Sequence, residues 1–287
     1  MNTTALSVNI NKVALLRNAR HLTIPDVRRA ARVCLAAGAQ GVTVHPRPDE
    51  RHIRGADVDD LAEVLREFAP DARTAGDAGE STPPKSAIEF NIEGNPFDAN
   101  GRFLQLVRET KPAQCTLVPD SPDQPTSDHG FDVLADAARL GPVIQELRAL
   151  DIRVSVFMDA ENLDGIRALS ELGAHRIELY TEPYAAAFER HRAEVRSPAA
   201  AGPTSADHLE RTVEAFAEAA RVAHAAGLGV NAGHDLSLEN LPFFLGRVAH
   251  VLEVSIGHAL IAEAIFQGLE QTVRDYLDVI ADAHAGP

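Results

Sequence analysis

The chain has 287 residues, of which 45% are hydrophobic, 24% charged and 5% aromatic, so it can bury one large core or two modest ones, and disorder as its main state is excluded. Its 27 Lys and Arg residues against 42 Asp and Glu give a formal net charge of −15, which opposes the binding of nucleic acid. Small phosphorylated substrates are compatible with this charge, because a few arginines and helix N-termini can hold a phosphate.

Short β-rich runs alternate with helical patterns from one end of the chain to the other. Most of these runs are near-continuous apolar stretches that end in a polar residue, which is typical of parallel strands covered on both faces. The eight predicted strands are Leu6–Ile10, Gly41–His45, Ile88–Glu93, Gln114–Val118, Ile152–Asp159, Arg176–Thr181, Gly229–Asn231 and Glu253–Ile256.

Helical patterns fill the intervals between these strands. Pro25–Ala37 has a proline near its start, and Asp207–Ala226 repeats apolar residues at three- and four-residue spacing. Gly38, Gly173 and Gly227 each follow a helical pattern directly, and this position predicts a left-handed C-cap.

Eight strands alternating with helices predict a (β/α)8 TIM barrel, an α/β fold, that forms a single domain of residues 1–287. A doubly wound open sheet is the alternative, and it more often has about five to seven strands. Residues 70–86 are rich in Pro, Gly, Ala and charge, and we expect them to form a mobile surface loop. Residues 184–206 predict an excursion after strand six that carries a short helical pattern.

Both cysteines, Cys34 and Cys115, lie in apolar stretches without a CxxC motif or metal-ligand spacing. This pattern predicts reduced thiols in a cytosolic compartment. The N-terminus lacks the features of a signal peptide, and no window reaches the roughly 18 uninterrupted apolar residues of a membrane span. We therefore expect a cytoplasmic protein with no membrane partner.

In a barrel of this kind, functional groups lie at the carboxyl ends of the strands. His45, His234 and His258 stand at or just beyond predicted strand ends, and Glu93 ends an otherwise apolar strand. One such histidine is commonly structural, whereas three on one rim favour a shared site. Partial desolvation would raise the pKa of Glu93 and suit it to acid–base work, while a salt-bridged structural glutamate is the alternative.

Several cationic groups near the strand ends are candidate anion ligands. The run VTVHPRPDERHI brings His45, Arg47, Arg51 and His52 to one loop, which predicts a proton acceptor beside an anion clamp, with a solvated charged turn as the alternative. Gly257 and His258 in SIGHAL open a helix whose N-terminus is a candidate phosphate site, although an ordinary tight turn also explains the glycine. Arg17 and Arg20 follow the first strand, and we expect one of them to be only a surface charge.

No motif supports a cofactor. HExxH, GxGxxG, GxxxxGK[ST] and GxSxG are all missing from the sequence. We therefore predict neither metal nor nucleotide. A metal-dependent hydrolase or isomerase and a non-catalytic barrel that binds a phosphorylated metabolite are the competing classes.

Six phrases in order resemble the pyridoxine 5′-phosphate synthase family over nearly the whole chain: NINKVALLRNAR, GVTVHPRPDERHI, EFNIEGNP, CTLVPDSPDQPTS, NAGHDL and VSIGHALI. The resemblance implies a homo-oligomeric barrel, usually an octamer. It also implies a ring-forming transferase that condenses 1-deoxy-D-xylulose 5-phosphate with 3-amino-2-oxopropyl phosphate and releases phosphate and water. No metal or organic cofactor is implied.

The resemblance also assigns roles to individual residues. His45 and Glu93 match proton acceptors, and His234 matches a proton donor. Arg47 and His52 would form one positive site, and Arg20 with the strand-eight helix start the other. Residues matching the deoxyxylulose phosphate site are Arg47, His52 and Thr126, and those matching the aminoketone phosphate site are Asn9, Arg20, Gly257 and His258.

Three phrases depart from the family pattern. Asn11-Lys12 replaces the usual Asp-His, Asp235 replaces a glycine, and Tyr180-Thr181-Glu182 replaces His-Thr-Gly. We count Asn11, Lys12 and Asp235 as candidate substrate-binding residues, and we hypothesise that Lys12 contacts Asp235 or a substrate phosphate. The alternative is a sister enzyme that takes another ketose or amino-ketone phosphate.

Overall fold

The structure is a computed structural model that describes residues 4–20, 22–68, 88–121, 124, 126–196 and 204–285. The predicted surface loop at residues 70–86 lies outside the described residues. So do residues 197–203 of the predicted excursion. The assignment of residues 1–287 to one domain stays a prediction.

Eight parallel strands pair in chain order, and the eighth pairs with the first, so that the sheet closes into a barrel. The (β/α)8 prediction is confirmed, and each predicted strand is present with its ends shifted by at most two residues. The strands are β1 (Ala5–Asn9), β2 (Gly41–Val44), β3 (Glu89–Gly94), β4 (Gln114–Leu117), β5 (Arg153–Met158), β6 (Arg176–Tyr180), β7 (Gly229–Gly233) and β8 (Val251–Ile256).

Helices surround the barrel and end where local sequence signals predict. The side chain of Asp26 caps the helix that follows it, and left-handed glycines end two helices, with φ 114° at Gly38 and 89° at Gly173. The helices are α1 (Asn11–Asn18), α2 (Val27–Ala37), α3 (Gly55–Phe68), α4 (Arg102–Thr110), α5 (Val133–Ala149), α6 (Leu163–Leu172), α7 (Glu182–Arg196), α8 (Thr204–Ala225), α9 (Leu241–Arg247), α10 (His258–Gln267) and α11 (Leu269–Ala285).

The predicted excursion after strand six contains α7, which stands between β6 and the long helix α8. That long helix begins three residues before the predicted Asp207, and Gly227 follows it with φ 80°. No helix among the described residues is both long enough and apolar enough to cross a membrane.

The two faces of each strand differ in chemistry because successive side chains point to opposite sides. Aliphatic residues such as Val8 and Val42 are fully buried in the core cluster. Buried polar side chains from adjacent strands bond to one another, as Ser7 Oγ does to Thr43 Oγ1 at 2.7 Å. The chain of polar contacts continues where the Thr116 hydroxyl donates to Asn91 Oδ1 at 3.1 Å. These hydrogen bonds form a layer of polar side chains that connects adjacent strands of the barrel.

Candidate active site

A cavity of about 260 Å³ lies among the strand ends and the loops that follow them. All but one of the predicted site residues line this cavity, and the three acid–base candidates are among them. The predicted residues that line it are Asn9, Asn11, Lys12, His45, Arg47, His52, Glu93, Thr126, His234, Asp235, Gly257 and His258.

Arg20 is the predicted residue that does not line the cavity. It is exposed just beyond the end of α1. The neighbouring Arg17 is buried instead and binds Asp57 of α3 through its two terminal guanidinium nitrogens, at 2.5 and 2.8 Å. Arg17 therefore joins two helices, and the role of Arg20 in phosphate binding stays a prediction.

His45 follows β2 and is held from two sides. Its backbone N–H donates to Asn11 Oδ1 at 3.0 Å, and its Nε2 lies 3.1 Å from Asp120 Oδ2. The same carboxylate oxygen lies 2.6 Å from Nη2 of Arg47, and Asp120 Oδ1 accepts the Ser127 hydroxyl at 2.7 Å. Asp120 thus contacts both His45, the candidate proton acceptor, and Arg47, a candidate anion ligand.

Sequence analysis missed Asp120, although it follows the fourth predicted strand and Pro119 as the first acidic residue of that loop. Burial by itself raises the pKa of the Asp120 carboxyl, but His45 and Arg47 outweigh burial and lower it to about 2. The carboxylate is therefore ionised at neutral pH. It partly neutralises Arg47 and gives His45 a permanent anionic partner.

The pKa of His52 is lowered, so its imidazole favours the neutral form, whereas the sequence suggested a positive group at a phosphate site. Burial and then the charges of His45, Arg47 and Lys12 lower its pKa to about 3. Its Nδ1 accepts the backbone N–H of Ile53 at 3.0 Å, so the ring proton is on Nε2. His52 can thus donate a hydrogen bond to an anion but supplies no charge, and the cationic side chains lining this cavity are Lys12, Arg47 and Arg51.

Glu93 of β3 is buried at the wall of the cavity. Burial, followed by repulsion from Glu178 and Asp120, raises its pKa well above the usual value, as the sequence predicts. Among the described residues no Lys, Arg or His nitrogen lies within 4.0 Å of Glu93, so the structure does not support the salt-bridged alternative. The amides of Asn9 and Asn91 donate to it, each at 3.4 Å.

Glu178 of β6 is a second buried carboxyl on the same cavity, and sequence analysis missed it as well. Burial and repulsion from Glu253 raise its pKa to about 8, and the Thr116 hydroxyl donates to it at 3.3 Å. The signal was a lone glutamate inside the apolar run RIELY, where an acidic residue is costly unless it is neutral or paired. Glu93 and Glu178 together give the cavity two buried carboxyl groups whose pKa values are both raised, so that burial favours the neutral form of each.

His234 follows β7 and is in contact with three side chains. Its Nδ1 lies 2.5 Å from Asp235 Oδ2, and its Nε2 lies 2.7 Å from the Thr126 hydroxyl. The ring of Tyr180 packs edge-on against the imidazole at a centroid distance of 5.8 Å. Two of the residues that depart from the family pattern, Tyr180 and Asp235, therefore surround this one histidine.

Lys12 makes no ion pair with Asp235 within 4.0 Å in the described part of the chain. The hypothesis of a Lys12–Asp235 contact is therefore not supported by the structure, because Asp235 is engaged by His234 instead. Contact between Lys12 and a substrate phosphate stays a prediction.

The helix start after β8 lies at the cavity as predicted. Gly257 caps α10, whose first residue is His258, and both line the cavity. A Cβ on Gly257 would lie 3.1 Å from the Cβ of Asn9, so a larger residue would push Asn9 away. Unpaired N–H groups at the start of a helix can bind an anion.

The described residues contain no group of three or more His, Cys, Asp or Glu side chains that could hold a metal ion. The two cysteines are free and buried. The side chains that line the cavity offer proton exchange and anion binding.

The sequence matches the family model described as "Pyridoxal phosphate biosynthesis protein PdxJ" over residues 6–282. A protein of Xanthomonas oryzae pv. oryzae named pyridoxine 5′-phosphate synthase is 50% identical over 288 residues, covering 99% of each chain. A protein of the same name from Porphyromonas gingivalis is 45% identical over 278 residues, covering 97% of this chain and 99% of the relative.

Solved structures of other barrels resemble the chain in fold alone. A tryptophan synthase from M. tuberculosis aligns with a TM-score of 0.55 at 11% identity, covering 97% of this chain and 94% of the other. A phosphoribosyl anthranilate isomerase from Thermotoga maritima aligns with a TM-score of 0.52 at 11% identity, covering 97% and 99%.

Proposed function

The chain belongs to the family of the pyridoxal phosphate biosynthesis protein PdxJ, and on this premise we propose that it acts as a pyridoxine 5′-phosphate synthase. It condenses 1-deoxy-D-xylulose 5-phosphate with 3-amino-2-oxopropyl phosphate, closes the pyridine ring and releases phosphate and water. The observation that supports this proposal is that His45, Glu93 and His234, far apart in sequence, line one cavity.

The reaction needs repeated proton transfers, since it forms an imine, eliminates phosphate and aromatises a ring. His45 accepts protons, and Asp120 stabilises the imidazolium that results. Glu93 exchanges protons from a buried position where its neutral form is favoured. His234 donates a proton from the opposite side of the barrel mouth.

Two phosphorylated substrates need two anion sites. Arg47, the neutral Nε2–H of His52 and the hydroxyl of Thr126 hold the deoxyxylulose phosphate. The start of α10 at Gly257 and His258 holds the aminoketone phosphate together with Asn9. Arg20, which lies outside the cavity lining, is assigned to the same phosphate by the family resemblance alone.

Three of the residues that depart from the family pattern, Asn11, Lys12 and Asp235, line the same cavity. Lys12 lines the cavity and contributes a positive charge for one of the two phosphates. Asn11 acts through His45, because its side chain accepts the backbone N–H of that residue. The substrates of this reaction are small molecules, and no resident cofactor takes part.

The chain assembles with further copies of itself, as an octamer by family resemblance. Exposed apolar side chains at the end of α1, in the loop before α2 and on α10 support such an assembly, since a monomer rarely leaves a contiguous patch of this kind in water. These residues are Leu16, Ile24, Ile265 and Phe266. The free, buried thiols of Cys34 and Cys115 fit the reducing conditions of the cytoplasm, where we place the reaction.

Incubation of the purified chain with both phosphates and no added cofactor tests the function. We expect the fluorescence of pyridoxine 5′-phosphate to appear together with inorganic phosphate, and neither signal when one substrate is omitted. Turnover only with a different ketose or amino-ketone phosphate would instead identify a sister enzyme. Binding of both phosphates without turnover would indicate a non-catalytic barrel.

A further inference from the structure

His234 is bonded at both ring nitrogens, and the two partners differ in what they can accept. Nδ1 lies 2.5 Å from a carboxylate oxygen of Asp235, whereas Nε2 lies 2.7 Å from the hydroxyl of Thr126. A carboxylate can only accept a hydrogen bond, while a hydroxyl can donate or accept. The ring proton of neutral His234 is therefore on Nδ1, and Nε2 has the free lone pair.

The Asp235 carboxylate is held in this orientation by its backbone. Its N–H donates to the Gly233 carbonyl at 3.1 Å and to the Thr181 hydroxyl at 3.3 Å. Its carbonyl accepts the side-chain amide of Asn240 at 3.1 Å. Asn240 is itself buried, and its carbonyl accepts the Tyr184 hydroxyl at 2.6 Å.

The backbone of His234 also restricts the imidazole. Its φ of 79° is in the left-handed region, which a non-glycine residue adopts only when its surroundings enforce it. The preceding Gly233 could not carry a side chain, because its Cβ would lie 2.4 Å from the Ser255 carbonyl oxygen. The end of β7 is therefore shaped to present the ring in one orientation.

We propose that Asp235 is a positioning residue that holds the Nδ1 proton of His234 and so makes Nε2 the nitrogen that exchanges protons with substrate. The inference rests on the proposed function for its reaction. When His234 is protonated, Nε2–H gives its proton to the substrate, and the ring returns to the Nδ1–H form bonded to Asp235. A substrate group then takes the place of the Thr126 hydroxyl at Nε2.

This assignment differs from a role of Asp235 in substrate binding. A substrate-binding residue would offer its polar atoms to the ligand, whereas one oxygen of Asp235 is already bonded to Nδ1 of His234. A carboxylate beside a phosphate site would also repel a dianionic substrate. We therefore assign Asp235 to the orientation and the charge of the His234 imidazole.

The experiment measures both the tautomer and the kinetics of the full chain. Protein labelled with ¹⁵N-histidine would be studied by long-range ¹H–¹⁵N correlation, and His234→Asn would identify the His234 signals among the 12 histidines. The neutral ring should carry its proton on Nδ1. In Asp235→Ala the His234 signals should shift towards the Nε2–H tautomer. In Asp235→Asn an uncharged amide replaces the carboxylate that faces the Nδ1 proton.

Kinetics separate positioning from binding. For Asp235→Ala we expect kcat to fall about 10- to 100-fold, part of the ~10²–10⁴-fold that a positioned acid contributes, while KM changes less than about twofold. Asp278→Asn, the matched removal of a carboxylate from an exposed position on α11, should leave kcat, KM and the His234 signals unchanged.

Three results would overturn the inference. They are a wild-type His234 with its proton on Nε2, a rise in KM alone, and a fall in kcat that leaves the tautomer as in the wild type. The first is read on the wild-type chain, with His234→Asn used only to assign the signals, so misfolding of an Asp235 variant leaves the inference testable. A wild-type chain that makes no pyridoxine 5′-phosphate would refute the proposed function instead, because the tautomer is measured without turnover.

Discussion

Burial controls the protonation of the carboxyl groups at this site. Glu93 and Glu178 are shielded from water, and each pKa is raised further by a neighbouring carboxyl: that of Glu93 by Glu178, and that of Glu178 by Glu253. Asp120 is also buried, but the charges of His45 and Arg47 lower its pKa to about 2. Carboxyls around one cavity thus reach opposite protonation states, and acid–base sites in general depend on such differences.

Glu93→Gln should abolish ring formation while leaving phosphate binding intact. Glutamine keeps the volume and can accept one of the two amides of Asn9 and Asn91, but it cannot exchange a proton, so kcat should fall by at least ~10²-fold. Product fluorescence measures kcat, and calorimetric titration measures binding of deoxyxylulose phosphate. Glu171→Gln, on the exposed face of α6, is the control. Turnover of Glu93→Gln at the wild-type rate would refute the assigned role.

His52 should make the fold less stable in acid. The folded protein keeps it neutral down to about pH 3, because its pKa is lowered from 6.5 to about 3. In the unfolded chain the imidazole takes up a proton near its ordinary pKa. The unfolded state therefore binds more protons across this window. The free energy of unfolding should decrease as pH falls from 6.5 towards 3, by up to ~1.4 kcal/mol per pH unit from this group.

Urea unfolding between pH 7 and pH 4 measures this effect through the variant His52→Asn. Asparagine can accept the Ile53 N–H with its side-chain oxygen but does not titrate, so the dependence on pH should become shallower than in the wild type. His129→Asn removes an exposed imidazole as a control. If the free energy of unfolding depends on pH in the same way in the wild type and in His52→Asn, the prediction that folded His52 is neutral is wrong.

The loop between β4 and α5 brings Thr126 to the cavity because its far end is fixed on β5. The N–H of Gly130 donates to Asp159 Oδ1 at 3.1 Å, and the N–H of Phe131 donates to the Phe157 carbonyl at 3.0 Å. A Cβ on Gly130 would lie 2.4 Å from the backbone nitrogen of Asp159. The backbone of Asp159 cannot rotate aside as a side chain can, so only glycine is tolerated at position 130.

Gly130→Ala should therefore displace the loop. We expect a loss of about 1–3 kcal/mol in unfolding free energy and a several-fold higher KM for deoxyxylulose phosphate, because Thr126 moves with the loop. Thermal unfolding and steady-state kinetics measure the two effects. Gly246→Ala is the matched control: α9 leaves open space at that position, so alanine should be neutral or stabilise by about 0.5–1 kcal/mol. Equal behaviour of the two variants would contradict the close approach at Gly130.

At the scale of the whole molecule, the exposed apolar patch predicts self-association. Ile265 is 71% exposed and lines a groove of about 800 Å³ together with Leu16 and Ile24, and its neighbour in sequence, Phe266, is 90% exposed. Side chains of this size favour contact with a second copy over contact with water, by roughly 1.5–3 kcal/mol each when fully buried.

The double variant Ile265→Asp with Phe266→Asp should lower the molar mass found by light scattering after gel filtration. Charges buried in an interface without partners are costly, so the assembly should dissociate at least in part. Val195→Asp, which charges an exposed apolar residue of α7 that is 64% exposed, is the control. An unchanged mass in the double variant would show that the patch is not an interface between copies.

The fold and most of the cavity could be predicted from the sequence, because they depend on local signals. Apolar runs, glycine C-caps and strand-end polar residues identify the eight strands and place His45, Glu93 and His234 on one rim of a barrel. Alternation along each strand determines which residues point inward, whatever the partners are.

The distribution of charges and protons among those residues depends on three-dimensional packing. Asp120 and Glu178 act on partners from other strands, the charge of His52 depends on burial, and Asp235 pairs with His234 where the sequence suggested Lys12. Electrostatic energies depend on distance and on exclusion of water, and neither is encoded by spacing along the chain. Local sequence signals therefore identify most of the groups that reach the cavity, and packing sets which of them carry a charge there.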